Sequence, residues 1–170
     1  MSVTAEISQA LAKEFSVPDA GTTTIILARL VTAAILGGIL GMERERKGRA
    51  AGLKTHILVS IGSALFVMAP LLSGIDPGDV TRVMQGIVSG IGFLGAGAII
   101  KLERDERIEG LTTAAGIWMV SAVGMAAGMG MEIMALATTL IALAVVAVIP
   151  KVLGGDKPQD KHEDKPADGS

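Results

Sequence analysis

Apolar residues in this chain come in blocks. From Thr23 onward, stretches dominated by Ala, Ile, Leu, Val, Met and Gly are separated by short polar segments. A helix that crosses the hydrocarbon core of a bilayer needs about 20 residues at a rise of about 1.5 Å each. The blocks therefore predict spans near residues 23–42, 53–72, 80–100, 111–128 and 132–150, an all-α, polytopic transmembrane helix bundle of about five spans. Ser73 to Asp79 is a short turn marked by Asp76-Pro77 and Pro77-Gly78, and Met129-Gly130-Met131 makes a tight reversal. Residues 101–110 form a loop with charges of both signs. Residues 151–170 are polar and rich in Lys and Asp, which predicts a disordered tail.

The block at 80–100 is unlike the others. It carries Gly86, Gly90, Gly92, Gly95 and Gly97 together with Gln85 and Ser89, and Arg82 lies near its start. Glycine costs about 1 kcal/mol against alanine inside a helix. Its usual return in a membrane is the close approach of another backbone. This segment is therefore expected to be the central helix of the bundle, enclosed by its neighbours. Gly37 and Gly41 in the first span form a further small-xxx-small pair. Residues 1–22 lack the basic start and apolar core of a cleavable signal. Ile7, Leu11 and Phe15 recur every four residues, so a helix here would put them on one face. A helix lying on the membrane surface and a loosely ordered terminus both fit.

The distribution of charge adds orientation. Arg44, Arg46, Lys47, Arg49 and Lys54 follow the first span, Lys101, Arg104 and Arg107 follow the third, and Lys151, Lys157, Lys161 and Lys165 follow the fifth. The intervening turns carry no Lys or Arg. By the positive-inside rule the N-terminus is outside and the C-terminus cytoplasmic. Composition agrees with a membrane chain: half the residues are hydrophobic, yet aromatics make up only 2%. With no cysteine, disulfides and thiolate chemistry are excluded.

Candidate chemistry is sparse. Asp79, Arg82, Gln85, Gly86 and Ser89 follow spacings of three and four, which places them along one helix face. They read either as a polar groove for an ion, a proton or another helix, or as a capping Asp79 paired with Arg82 above hydrogen-bonding side chains that join helices. Glu43, Arg44, Lys54, Thr55 and His56 meet across a short loop, either as polar partners or as an interfacial charge cluster. Arg29, inside the first span, either faces the bundle or snorkels. Thr112 and Thr113 read first as helix-start caps and second as site residues. No His/Asp/Glu set has metal-ligand spacing, so no metal or cofactor is expected. Phosphate-loop and nucleophile-elbow motifs are absent. Gly90-x-Gly92-x-x-Gly95 matches a dinucleotide pattern in letters but lies inside a span rather than between strand and helix. The basic loops lack the aromatics of a nucleic-acid surface.

Four stretches together resemble the MgtC/SapB family of bacterial inner-membrane proteins. They are Gly41-Met42-Glu43-Arg44-Glu45, then Gly52-Leu53-Lys54-Thr55-His56-Ile57-Leu58-Val59, then Ile87 to Gly97, and finally Gly110-Leu111-Thr112-Thr113-Ala114-Ala115-Gly116-Ile117-Trp118. They occur in the family's order and cover roughly residues 23–149. The resemblance implies a multi-pass protein of the bacterial cytoplasmic membrane, linked to growth in low magnesium and, in pathogens, to survival in macrophages. It also implies a short form, since longer members carry a soluble C-terminal domain. Some members are proposed to restrain the F-type ATP synthase. The matching polar or distinctive positions are Glu43, Arg44, Thr55, Asp79, Arg82, Gln85, Ser89, Thr112, Thr113 and Trp118. Two readings of function follow. One is a non-enzymatic regulator acting through helix contacts, with Gly37, Gly41, Gly86, Gly90, Gly95, Gly97 and Trp118 as packing positions and a membrane protein such as the ATP synthase as partner. The other is a small carrier for magnesium or proton-coupled solutes, with Asp79, Gln85 and Ser89 along the path and a homo-oligomer supplying further ligands.

Overall fold

The computed structural model describes residues 2–102 and 107–152. The tail expected to be disordered falls almost wholly outside them. The described chain is almost entirely helical. Helix α1 spans Val3–Glu14, α2 Ala20–Arg46, α3 Leu53–Leu72, α4 Pro77–Gly97, α5 Leu111–Gly128 and α6 Glu132–Leu143. A π-helical segment, Ala144–Val148, continues α6 into a last short helix, α7, Ile149–Val152.

Local chemistry sets the ends of these helices. The Asp19 carboxylate accepts from the backbone N–H groups of Gly21 and Thr22 at 2.9 and 3.1 Å and from the Thr22 hydroxyl at 2.6 Å, capping α2. Those bonds, the Thr22 hydroxyl foremost, hold the Asp19 carboxyl below the usual carboxylate range. At α4 the cap is Asp76, accepting from Gly78 N–H at 2.7 Å, with Pro77 in the first turn. Asp79, a candidate cap by sequence, instead faces outward and lies 3.7 Å from Arg82. Neither Thr112 nor Thr113 caps α5; Gly110 holds that position in the left-handed region at φ 88°. A side chain there would be strained, and its Cβ would meet the Ala98 carbonyl.

The charged loop expected after α4 contains a small antiparallel hairpin instead. Strands β1 (Ile100–Leu102) and β2 (Arg107–Glu109) pair Ile100 with Glu109, Lys101 with Ile108 and Leu102 with Arg107. Each strand alternates apolar and charged residues in sequence. Ile100, expected to end the third span, belongs to this ribbon, and α4 ends at Gly97.

The bundle is centred on α5. That helix contacts α2, α3, α4 and α6, and its buried residues run from Thr113 to Gly128. The core joins Ala33, Leu36 and Leu40 of α2, Ala64 of α3, Val120, Val123 and Ala127 of α5, and Ala135 of α6. Small residues bring the backbones together. Gly37 and Gly41 lie against α3, where an added Cβ would come within 2.7 Å of Ser60 Cβ and 2.8 Å of Leu53 Cα, respectively. Gly124 and Gly128 of α5 also abut α3, and Cβ atoms there would meet the carbonyls of Ser60 and Ala64. Without a hydrophobic driving force between helices in lipid, such close contacts and buried hydrogen bonds hold the bundle together. One such bond joins the Ser63 and Ser121 hydroxyls at 2.8 Å.

The expectation that the glycine-rich block is the enclosed central helix is therefore corrected. α4 packs on α5 and α3 along one stripe only, burying Val80, Ile91 and Gly95. Beyond its own stretch of helix, a Cβ added at Gly86, Gly90, Gly92 or Gly97 would find no atom within 4 Å, and at Gly95 its nearest neighbour would be Ala114, at 3.6 Å. Glycine leaves space for a neighbour, but which element fills that space is decided by the whole bundle. Three helices, α2, α3 and α5, are long and apolar enough to cross a membrane, and the stretch Glu132–Val148 is apolar but shorter. Helix α1 stands exposed along its length, with Ile7, Leu11 and Phe15 uncovered.

Candidate functional site

Two places gather the candidate residues. The first lies at one end of the bundle, where α2 ends, α3 and α5 begin and α6 runs into the π segment. Arg44 and His56 are only 5% and 1% exposed there, which marks them as interior groups rather than parts of a solvated interfacial cluster. Glu43 lies between two cations, with Arg44 Nε 3.0 Å from its Oε2 and Lys47 Nζ 3.0 Å from its Oε1. Neither contact has hydrogen-bond alignment, so both carboxylate oxygens are held by charge alone. Lys47 Nζ also donates to the Val146 carbonyl at 2.7 Å, tying α2 to the π segment. Widened π turns of this kind recur at functional sites.

His56 Nδ1 donates to the Gly52 carbonyl at 2.9 Å. A carbonyl can only accept, so Nδ1 carries the proton and Nε2 is the ring's other, outward nitrogen. It points toward Gly116, where a Cβ would lie 3.4 Å away. Beside it a cavity of about 290 Å³ opens, bordered by Arg44, His56, Thr112, Gly116, Met119 and the α6 side chains Thr138 and Ile141. Thr113 is buried next to exposed Thr112, and Thr55 is half-buried in the first turn of α3. The Glu45 carboxylate, beyond the cluster, accepts from Leu53 N–H at 2.6 Å and caps α3.

The second place is the outer surface of α4. Asp79, Arg82, Gln85 and Ser89 are all exposed, on the side away from the core. They line no interior path within one chain. Gly86 and Gly90 stand at the edge of a groove of about 650 Å³ between α3 and α4, whose walls include Leu58, Gly62, Phe66 and Leu94. Trp118 on α5 is half-exposed. Arg29 faces the bundle and donates to the Gly128 carbonyl at 3.0 Å, placing its charge at the negative end of the α5 dipole.

Sequence reasoning left His56 open between a polar partner of Glu43 and Thr55 and a member of an interfacial charge cluster, and gave no site role to Lys47, Gly116, Gly124 and Gly128. The detectable signal for the last two was a small-xxx-small pair in the fourth span, the same pattern noticed at Gly37 and Gly41. The partnership of Lys47 with the π segment had no signal, because it joins residues 99 apart. Among the described residues no three His, Asp or Glu side chains converge as a metal site.

Residues 30–154 match the MgtC family. The chain is 43% identical over 136 residues to YhiD of Escherichia coli (strain K12), whose name proposes a magnesium transporter; the match covers 74% of this chain and 61% of YhiD. It is 45% identical over 123 residues to Protein MgtC of Brucella abortus, covering 72% of this chain and 50% of that protein. Protein SrpB of Synechococcus elongatus is 40% identical over 130 residues, with 70% and 71% covered. No solved structure matches. The chain thus spans about half to seven-tenths of the length of these relatives. With a match over most of its length and a largely helical fold that includes three helices long and apolar enough to cross a membrane, the chain belongs to the MgtC family of membrane proteins.

Proposed function

We propose that this protein is a non-enzymatic regulator in the bacterial cytoplasmic membrane, linked to growth at low magnesium, and that it acts by receiving a helix of a membrane partner against α4. The observation that carries this reading is the groove between α3 and α4. Its glycines Gly62, Gly86 and Gly90 have no atom within 4 Å of an added Cβ, so an incoming backbone can approach closely. Asp79, Arg82, Gln85 and Ser89 add polar side chains to the same exposed helix. The F-type ATP synthase is the partner to test first. In this reading α4 and the rod from Glu132 to Val152 join α2, α3 and α5 as spans, with the N-terminus outside and residue 150 cytoplasmic. A reporter fused after Pro150 then reads cytoplasmic and one at Ile75 external.

A carrier is the second reading, favoured by the name of YhiD. Against it, Asp79, Gln85 and Ser89 face away from the core, so a path along them needs a second copy of the chain. One pair of measurements separates the two. The protein in sealed liposomes is assayed for magnesium and proton flux beside Asp79→Ala. In parallel, Gly90→Leu is assayed for support of low-magnesium growth. A regulator shows no flux and loses growth support when the groove is filled. Flux abolished by Asp79→Ala establishes the carrier, and a folded Gly90→Leu protein that supports full growth removes the groove from the mechanism.

A further inference from the structure

We infer that the cavity beside Arg44 and His56 is a binding site for one anionic membrane phospholipid with a hydroxyl-bearing headgroup. The lipid's phosphate would lie on Arg44, its hydroxyl on His56, and the start of an acyl chain between α5 and α6. At about 290 Å³ the cavity far exceeds the water-sized voids of a packed interior and approaches the small end of ligand pockets, about 300 Å³. Two polar side chains more than nine-tenths buried border it. Burying a guanidinium is costly unless it is paired and hydrogen-bonded. Among the described residues the Arg44 guanidinium has one ion pair, through Nε to Glu43, and donates no hydrogen bond. Its planar fork matches the oxygens of a phosphate.

The charges around the cavity favour an anion. Arg44 and Lys47 share the single carboxylate of Glu43, which leaves one positive charge in excess, and Glu43 does not line the cavity. Among the described residues Arg44 and His56 are its only ionisable lining residues. His56 supplies a different function. With Nδ1 donating to Gly52, the neutral ring offers Nε2 as an acceptor, which suits a hydroxyl and not a second phosphate oxygen. Glycine at 116 keeps the approach to Nε2 open.

The opening selects a lipid over a free anion. Thr112, Ala115, Ile141 and Val145 line the cavity and are exposed, so the mouth lies on the side of the bundle, between two helices. Most of this wall is apolar, which a hydrocarbon chain fills and a free phosphate does not. The site also stands at the end of the bundle that carries Arg46, Arg49 and Lys54, where headgroups lie. Basic pockets between helices at that level are recognised lipid-headgroup sites.

The test uses the purified full chain. Retention of phosphatidylglycerol and phosphatidylcholine is measured by native mass spectrometry after stepwise delipidation, and inorganic phosphate serves as a soluble competitor. The expected result is one tightly held phosphatidylglycerol per chain, no comparable phosphatidylcholine and no displacement by phosphate. Arg44→Gln removes a charged donor and Ala115→Trp obstructs the mouth while leaving the ion pairs intact. Each is expected to weaken phosphatidylglycerol retention about tenfold. Equal retention of the two lipids by the parent protein overturns the proposal. So does undiminished phosphatidylglycerol on Ala115→Trp protein with parental thermal unfolding, which would place the lipid on the outer surface. Displacement by phosphate would make this a soluble-anion site and overturn the lipid assignment. Should Arg44→Gln fail to fold, the headgroup comparison and Ala115→Trp decide.

Discussion

Replacing glycine by alanine should have opposite consequences on α4 and α5. At Gly124 an added Cβ would sit 2.8 Å from Ser60 Cα and the Ser60 carbonyl carbon, and would also meet the carbonyl oxygen. Carbon atoms in good contact are about 3.5–4.0 Å apart. The helices must therefore part by roughly 0.7 Å or more, and a gap of that size forfeits a quarter to a half of the dispersion between facing atoms. Overpacking of this kind costs about 1–3 kcal/mol. The helix-propensity gain of about 1 kcal/mol for alanine offsets little of it where helices persist in the unfolded membrane state. At Gly90 nothing stands within 4 Å of the new methyl group. Only the propensity gain remains, so Gly90→Ala is expected to be neutral or up to about 1 kcal/mol stabilising. The assay is reversible unfolding in detergent micelles, followed by circular dichroism and by the fluorescence of Trp118. Loss of stability in Gly124→Ala with none in Gly90→Ala is the expected outcome. Equal effects of the same sign at both positions would refute the assignment of α5 as the packed centre and α4 as the open flank.

Further tests address single contacts. Arg29→Gln should lose about 1–2 kcal/mol of stability by removing a charge-assisted hydrogen bond at the α5 C-terminus, and Arg29→Lys should recover part of it, read by the same unfolding measurement. A double-mutant cycle on Ser63→Ala and Ser121→Ala should return a coupling of about 0.6 kcal/mol, the scale of hydrogen bonds between membrane helices. The Asp19 cap carries a pH signature. Its carboxyl is held below the ordinary value, so its contribution is complete above the carboxylate range and is lost as pH falls through the lowered folded value. Protection factors at Gly21 and Thr22, taken relative to intrinsic exchange at each pH, should fall on acidification, and Asp19→Asn, which keeps a capping oxygen, should remove that fall. Gly110→Ala should destabilise by about 1–3 kcal/mol, because it combines a left-handed backbone with a clash at Ala98, and thermal unfolding checks it.

The positions of the helices were legible in the chain because each depends on nearby residues. Apolar run length marked α2, α3 and α5, turn residues marked 73–79 and 129–131, and the family could be read from local motifs. Glu43 and Arg44 stood out as a pair for the same reason. The hairpin after α4 was missed because its two strands are three residues each, too short to be distinguished from a charged loop.

The arrangement of the helices was not legible. Glycine in a helix reports that space is available on one face, and both α4 and α5 carry enough of it to serve as a centre. Only the packed bundle puts Gly124 and Gly128 against the backbone of α3 and leaves Gly86 and Gly90 open. The same holds for the cavity at His56, which needs the end of α2, the starts of α3 and α5 and the far end of α6 to meet. The chain alone showed which segments are apolar helices, three of them long enough to cross a membrane, because that follows from the local balance of apolar area and backbone hydrogen bonding. Tertiary structure alone decided which faces those helices share, because close packing depends on the shapes of all the helices at once.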